Sequence, residues 1–209
     1  MAISVASEVF DTARGFLNDI NADIWTNTVL LTRLPHAHRE LQLKLRNAAC
    51  PVMMKSSAAI TVNSGALTVT LPSDLVEPIQ AWENSVGGGK ATATPMTESN
   101  PLLQATQTTT LNYWEWDGAN INLIGATANR DVFLRYWRRI AIPTGASDSI
   151  GIWDGELYLA PRVAAIAAGS VGQAEMMAAL TELADSALSD IITSNKGRGT
   201  ATSEGSIKP

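Results

Sequence analysis

Two histidines, His36 and His38, are the side chains in this 209-residue sequence best suited to acid–base or metal chemistry. They stand two positions apart in a segment with helical spacing, so they point in different directions. A zinc site needs several converging ligands, and the single cysteine, Cys50, is the nearest further candidate. The sequence therefore predicts no metal site, and we expect His38 to pack at the edge of a core.

The sequence also shows no recognisable set of residues for nucleophilic catalysis. The Gly-x-Ser-x-Gly motif of the α/β-hydrolases is absent, and no histidine follows a candidate serine in the chain order of that fold. The acidic residues are scattered, although carboxylates from distant segments can also meet in a fold. Because no nucleophile can be paired with a base, we expect a protein without enzymatic activity and without a cofactor.

Three glycines, residues 87–89, precede Lys90, a composition that phosphate-binding loops also show. The P-loop spacing is absent, and Ala91 stands where a hydroxyl side chain should follow the lysine. Because glycine-rich runs behave as flexible linkers, we interpret this segment as a loop tip.

Arginines alternate with aromatic residues between Arg135 and Arg139, a pattern found where proteins stack on bases and contact phosphates. The alternative is a half-exposed strand whose arginine stems cover aromatic faces. The net charge of −5 and the pI near 5.0 favour this alternative, because a general nucleic-acid binder needs a basic face.

Helices must position the two histidines. Ser4 is suited to cap a first helix, whose apolar stripe comprises Val9, Ala13, Phe16 and Ile20. Residues 18–23 are rich in turn formers and should end this helix. A second helical pattern contains Pro35, so we expect either a kink or a restart with Pro35 in the first turn.

The periodicity of the middle of the chain is that of strands. Residues 59–62 and 67–71 alternate apolar and polar side chains around a turn at 63–65, which predicts a β-hairpin. Residues 79–83 predict a further short strand. Residues 92–110 show little periodicity, so we expect a long loop there.

A second hairpin is predicted by the Asp117–Gly118 bend, with strands at 113–116 and 121–124. Residues 131–139 are expected to form a third strand that continues this meander.

Trp114 and Trp116 lie on one face of the first strand of this second hairpin. Two tryptophans near a tight turn are suited to anchor a protein contact. They are equally suited to pack onto the helices, and the sequence leaves both alternatives open.

The stretch from Trp153 to Ser194 is dense in alanine, which favours helix. Gly169 and Gly172 predict a break, which gives two helices or one kinked helix. Pro161 is compatible with the first helix if it lies in the opening turn. The tail at 196–209 is too polar to bury itself and should be flexible.

Together these elements predict an α+β fold that is mainly α. Two N-terminal and two C-terminal helices, at about 4–50 and 153–194, form a bundle with a β-hairpin and meander insertion at about 57–140. We expect a single domain at 1–195, followed by a flexible arm at 196–209. We also expect a soluble protein, because no apolar run of roughly 20 residues is present. No signal peptide is recognisable, so we expect a protein that is not exported. The single cysteine permits no intrachain disulfide, which fits a reducing compartment.

Several segments follow one another in a familiar order: residues 13–19, 31–41, 71–75, 79–83, 95–98, 114–116 and 130–136, and then the alanine-rich helix pair. This order resembles that of the head-to-tail adaptor, or connector, proteins of tailed bacteriophages. The resemblance covers roughly residues 5–195. The family has no catalytic residues to carry over.

The resemblance implies a virion protein that forms a ring of twelve copies beneath the portal, assembled in the cytoplasm of the host bacterium. Such a ring extends the DNA channel and binds tail or nozzle proteins, without a membrane partner. The acidic composition is suited to a conduit through which DNA passes without specific binding.

For this role the sequence offers two sets of candidate contact residues. The portal-docking arm is expected to comprise Lys196, Arg198, Ile207, Lys208 and Pro209. Contacts with other subunits or with the tail are expected at Gly88, Lys90, Trp114, Trp116 and Arg138. The alternatives are another virion component (a tail-tube, nozzle or capsid-decorating protein), or a small DNA-binding module or enzyme.

Overall fold

The structure, a computed structural model, describes residues 3–99 and 106–203, and it describes side chains as far as residue 195. The chain divides into two compact units. The helical unit comprises residues 1–53 and 140–209, and the β unit comprises residues 54–139. The predicted α+β class, with helices at both ends of the chain and strands in the middle, is confirmed. The single domain expected at 1–195 stays a prediction.

The described part of the helical unit has three α-helices before the β unit and two after it. In chain order they are α1 (Ala6–Phe16), α2 (Asn27–Leu31), α3 (Leu34–Asn47), α4 (Glu156–Ser170) and α5 (Ala174–Ser203). A 3-10 turn at Pro51–Met53 completes the unit. The backbone of α5 continues beyond the predicted end of the helices at 194 and includes residues 196–203.

The first turns of α1 and α3 show how the sequence begins a helix. Val5, and not Ser4, is the N-cap of α1, and the Glu8 carboxylate accepts a hydrogen bond from the Val5 N–H at 3.2 Å. Pro35 lies in the first turn of α3, where the N–H that proline lacks would have no helical partner. The second helical segment is therefore interrupted after α2, and a new helix begins at Leu34 with Pro35 in its first turn, which is one of the two predicted alternatives.

Helix α4 packs against α1, α3 and α5. Its alanines allow these backbones to approach closely, and most of its residues are buried. Pro161 lies inside α4 rather than in its opening turn, because the helix begins at Glu156. The condition stated for Pro161, a place in the opening turn, is therefore not met, and α4 contains this proline in its interior.

The predicted break between the last two helices is confirmed at Gly172. The Gln173 N–H donates to the Ala168 carbonyl at 3.0 Å, and the Gly172 N–H donates to the Gly169 carbonyl at 3.2 Å. This is a Schellman motif, which needs a left-handed residue, and Gly172 has a φ of +79°. A Cβ on Gly169 would lie 2.7 Å from the Met177 sulfur, so this glycine allows α5 to return closely along α4.

The described residues of the β unit form eight strands in two sheets. They are β1 (Met54–Ser56), β2 (Ile60–Val62), β3 (Leu75–Ser85), β4 (Thr94–Pro95), β5 (Thr97–Glu98), β6 (Tyr113–Trp116), β7 (Ile121–Leu123) and β8 (Arg130–Arg138). The larger sheet has the order β1-β8-β3-β4, with β2 also paired to β8, and the smaller has the order β5-β6-β7. Every pair among these strands is antiparallel except β5 with β6.

The predicted first hairpin was wrong. β2 pairs with β8, with Ile60 opposite Val132, while residues 67–69 run beside β7 in hydrogen bonds that include Leu123 N–H to Leu67 O at 2.8 Å. The turn after β2 is present, with Gly65 at a φ of +76°, but the two flanking segments diverge to different sheets. Alternation predicts that a segment is extended and which face it buries, but it does not specify the partner strand.

Two further expectations for this region were also wrong. β8 does not continue the meander of β6 and β7, because it lies in the larger sheet beside β3, with Trp82 opposite Phe133. The segment at 92–110 includes β4 and β5 and is therefore partly regular. The second hairpin is confirmed, with Trp114 opposite Leu123.

Candidate interaction surfaces

The fully buried His38 joins α3 to the segment that precedes α4. His38 Nε2 donates to the Ile150 carbonyl at 2.9 Å, and Gln42 Nε2 donates to His38 Nδ1 at 2.8 Å. Gln42 also bonds both backbone groups of Ile140, at 2.9 and 3.0 Å. Burial lowers the pKa of His38, so the neutral imidazole acts as a structural crosslink.

Metal-binding geometry is not found around the two histidines. His36 is exposed, and within the described residues no three His, Cys, Asp or Glu side chains cluster as a metal site would require. The packed histidine predicted from the sequence is thus present, as His38.

The loop at residues 18–25, which connects α1 to α2, exposes two isoleucines that sequence reasoning did not place at the surface, and we call it the apolar loop. Ile20 was expected on the buried stripe of the first helix, but α1 ends at Phe16 and Ile20 is 81% exposed. Ile24 on the same loop is 68% exposed. A signal was present in the sequence, because isolated isoleucines stand among turn-forming Asn and Asp residues.

This apolar loop is held in one conformation by hydrogen bonds to Asp19. The Asp19 carboxylate accepts from the backbone N–H groups of Trp25, Asp23 and Ile24 at 2.6, 3.0 and 3.2 Å, and these bonds, with that of Trp25 first, lower its pKa. The buried Arg14 guanidinium donates to the Trp25 carbonyl at 3.4 Å and also pairs with Asp11. The two isoleucines are therefore presented on a preorganised turn.

The glycine-rich segment connects β3 to the 3-10 turn at Lys90–Thr92 and is anchored to its own sheet. Asp131, which is buried, accepts from the Gly87 N–H at 2.8 Å and from the Thr61 hydroxyl at 2.7 Å. Asn84 Nδ2 donates to the Gly89 carbonyl at 2.9 Å. A Cβ on Gly88 would lie 2.4 Å from the Asn84 side chain, so this close approach requires glycine.

Lys90 is exposed but also contacts the larger sheet. Its Nζ lies 4.6 Å from the centroid of the Trp82 ring and donates to the Ser56 hydroxyl at 2.8 Å. Partial burial and the positive charge of Arg135 lower the pKa of Lys90. Gly88 and Lys90 thus form a defined corner of the β unit.

Comparison with known proteins identifies the protein family of the chain. The model of the family described as SU10 adaptor protein matches residues 6–206. The chain belongs to the SU10 adaptor family. This is a family of phage head-to-tail adaptors, so the resemblance found in the sequence is confirmed and the protein is a structural adaptor of a bacteriophage virion. No curated protein matches the sequence.

The tryptophans of the adaptor pack within the β unit. Trp114 is 2% exposed and lies in the core of the β unit, and Trp116 is partly buried against the same cluster. The exposed end of their hairpin is polar. There the backbone N–H groups of Ala119 and Asn120 donate to Asp117 at 2.8 and 2.6 Å and lower its pKa to about 2.

The arginine-rich strand of the adaptor is half-buried, as the alternative to nucleic-acid binding predicted. Tyr136 is buried, so it presents no free ring for a base to stack on, and its hydroxyl donates to Asp74 at 2.8 Å. Arg130 forms an ion pair of 2.5 Å with the buried Glu83. Arg138 is half-buried and lies opposite Leu75 in the register of β3 and β8.

The predicted portal-docking arm is described only in part. Lys196 and Arg198 belong to the backbone of α5, while their side chains lie outside the described residues. Ile207, Lys208 and Pro209 also lie outside them. Within the described part of the adaptor, no helix combines the length and apolar character needed to cross a membrane.

Proposed function

We propose that twelve copies of this adaptor form a ring beneath the portal, extend the DNA channel and anchor tail or nozzle proteins. The observation that carries this proposal is the match of the SU10 adaptor model to residues 6–206. In the proposed ring the helical unit forms the body, and the loops of the β unit contact neighbouring subunits or the tail. Assembly takes place in the cytoplasm of the host bacterium, and the ring becomes part of the virion.

The apolar loop supports a role in assembly. Full burial of an isoleucine side chain is worth about 1.5–3 kcal/mol, and Ile20 and Ile24 leave most of this unused in the single chain. Because Asp19 and Arg14 already order the loop, a partner that buries these side chains incurs little additional loss of conformational entropy. The loop is thus suited to a protein contact in the virion.

The docking arm remains part of the proposal, with Lys196, Arg198, Ile207, Lys208 and Pro209 as its contact residues. Truncation after Ile192 should abolish binding to portal, as measured by the mass of the portal–adaptor complex. Unchanged binding would refute the arm. Contacts with other subunits or the tail remain proposed at Gly88, Lys90, Trp116 and Arg138, whereas Trp114 is buried in the core of the β unit.

DNA is proposed to pass through the ring without specific binding. The net charge of −5 supports this, because an acidic wall does not retain phosphates. Affinity of the isolated chain for duplex DNA that falls steeply with salt would instead support a DNA-binding module.

Native mass spectrometry and negative-stain imaging of the full chain, alone and with purified portal, test the ring. We expect a twelvefold ring that binds portal coaxially. A trimeric or hexameric assembly would favour a tail-tube, nozzle or capsid-decorating protein. A monomer that binds neither portal nor tail proteins would refute the proposal.

A further inference from the structure

One side of α5 exposes a stripe that no other described part of the helical unit covers. Its residues follow alternating steps of three and four, and the first three are apolar while the last two are polar: Met176, Ala179, Leu183, Ser186 and Asp190. Leu183 is 45% exposed and Met176 is 37% exposed. This spacing is that of a helix seam which packs against a second helix. We call this surface the α5 stripe.

The α5 stripe is acidic at its margin and at its C-terminal end. Glu175 and Glu182 are exposed beside it, and Asp190 lies within it. No lysine or arginine occurs between Ala174 and Asn195. A partner helix that carries both apolar and basic side chains would therefore complement it.

Helix α3 exposes a surface of that composition. Arg39 and Leu43 are exposed, the latter by 50%, and Arg46 is half-exposed beside them. In the described part of the chain neither arginine forms an ion pair, whereas the one acidic residue of α3, Glu40, is bound to Arg162 and Lys44. We call the surface of Arg39, Leu43 and Arg46 the α3 stripe.

The two stripes face away from each other within one chain. Lys44 of α3 contacts Asp185 of α5 at 2.5 Å, which marks the sides on which these helices meet. Each residue turns a helix by about 100°, so Leu183 lies about 200° around α5 from Asp185. By the same rule Arg39 lies about 140° around α3 from Lys44, and Arg46 about 200°. A chain therefore cannot pair its own stripes.

We propose that the α5 stripe of one copy packs on the α3 stripe of the next copy. Such a contact joins two different surfaces, and a heterologous contact of this kind generates a closed ring when its rotation closes. The apolar residues Leu43, Met176 and Leu183 lose their exposure to water in it, and the arginines face the carboxylates. This inference rests on the ring proposed above and assigns its subunit interface.

Charge reversal on each stripe tests the interface in the full chain. One variant carries Arg39→Glu and Arg46→Glu, and the other carries Glu182→Arg and Asp190→Arg. All four side chains are exposed or half-exposed, so each variant should fold. Circular dichroism and thermal unfolding check this. Each variant alone should need a concentration higher by about tenfold or more for ring formation in native mass spectrometry, because like charges then face each other.

The mixture of the two variants gives the deciding result. When the two variants alternate around the ring, half of the interfaces join the acidic α3 stripe of one variant to the basic α5 stripe of the other. The remaining interfaces join two unmodified stripes. All interfaces then pair opposite charges, so mixing should restore assembly. All four substitutions in one chain should restore it as well. As a control, Glu77→Arg changes an exposed carboxylate of β3 and should assemble like the unmodified protein.

Two outcomes overturn the inference in distinguishable ways. If the unmodified protein forms rings and both variants do so at the same concentration, or if mixing and the fourfold variant restore nothing, the interface lies elsewhere while the ring stands. If the unmodified protein forms no ring alone or on portal, the proposed function itself fails.

Discussion

Gln42 lies one turn after His38 on α3, and its Nε2 donates a hydrogen bond of 2.8 Å to the His38 Nδ1. Together the two side chains bond the backbone of Ile140 and Ile150, the residues that bracket the return from the β unit to α4. A buried polar pair thus closes the helical unit at a point where chain segments about a hundred positions apart meet. A buried imidazole in this place must be neutral.

His38 should make the stability of the protein depend on pH. Burial lowers its pKa in the folded state, whereas the unfolded chain protonates it near the usual value of about 6.5. Its contribution is therefore complete above about 6.5 and is lost as the pH falls below that value, because the unfolded chain then binds the extra proton. Urea unfolding of the protein and of His38→Gln, above and below this pH, measures the difference.

His36→Gln provides the matched control, since His36 is exposed on the same helix. We expect its unfolding free energy to follow the pH dependence of the unmodified protein. If His38→Gln does so as well, His38 is not buried in its neutral form.

Gly88→Ala and Gly89→Ala should differ in their effect on stability. The new Cβ at position 88 meets the Asn84 side chain at 2.4 Å, which must move and lose its bonds to Gly89 and Thr92. A Cβ at position 89 meets no atom within 4 Å. Thermal unfolding should show a loss of about 1–2 kcal/mol for the first variant and little change for the second. Equal stability of the two variants would contradict the anchored loop.

Asp131→Ala should release the glycine-rich segment. The substitution removes the acceptor of the Gly87 N–H and of the Thr61 hydroxyl, and each such hydrogen bond typically contributes about 0.5–1.5 kcal/mol. Hydrogen exchange of the backbone amides at residues 85–89 should become faster. Glu77→Ala, on an exposed position of β3, should leave this exchange unchanged, and protection that survives Asp131→Ala would exclude the anchor.

The apolar loop should matter for assembly and not for folding. Ile20→Ser together with Ile24→Ser removes side chains that are mostly exposed, so the unfolding free energy should change by less than about 0.5 kcal/mol. Binding to portal, to tail proteins or between subunits should weaken, as measured by native mass spectrometry. Leu67→Ser, on a 60% exposed residue of the β unit, is the control for general surface polarity. Unaltered assembly of the double variant would remove the loop from the proposed contacts.

Sequence patterns predicted those elements whose formation depends on neighbouring residues. The interruption at Pro35, predicted as a kink or a restart and present as a restart, the break at Gly172 and the hairpin at Asp117–Gly118 all follow from local backbone chemistry. The order of such segments along the chain was also sufficient to identify the adaptor family.

Strand partners were decided by tertiary structure. Residues 59–62 and 67–71 look like a hairpin because each segment alternates, but their backbones hydrogen-bond to strands of different sheets, while their apolar residues share one core. Alternation carries no information about which distant strand, here β8 or β7, completes each sheet.

The chain by itself therefore determined the fold class, the position of most helices and turns, and the absence of a recognisable catalytic motif, because these depend on residue type and short-range spacing. Tertiary structure alone decided that Ile20 and Ile24 are exposed, that His38 donates to the Ile150 carbonyl, and that the α3 and α5 stripes face away from each other. Exposure is set by the segments that happen to pack on a side chain, and those segments lie far away in the sequence.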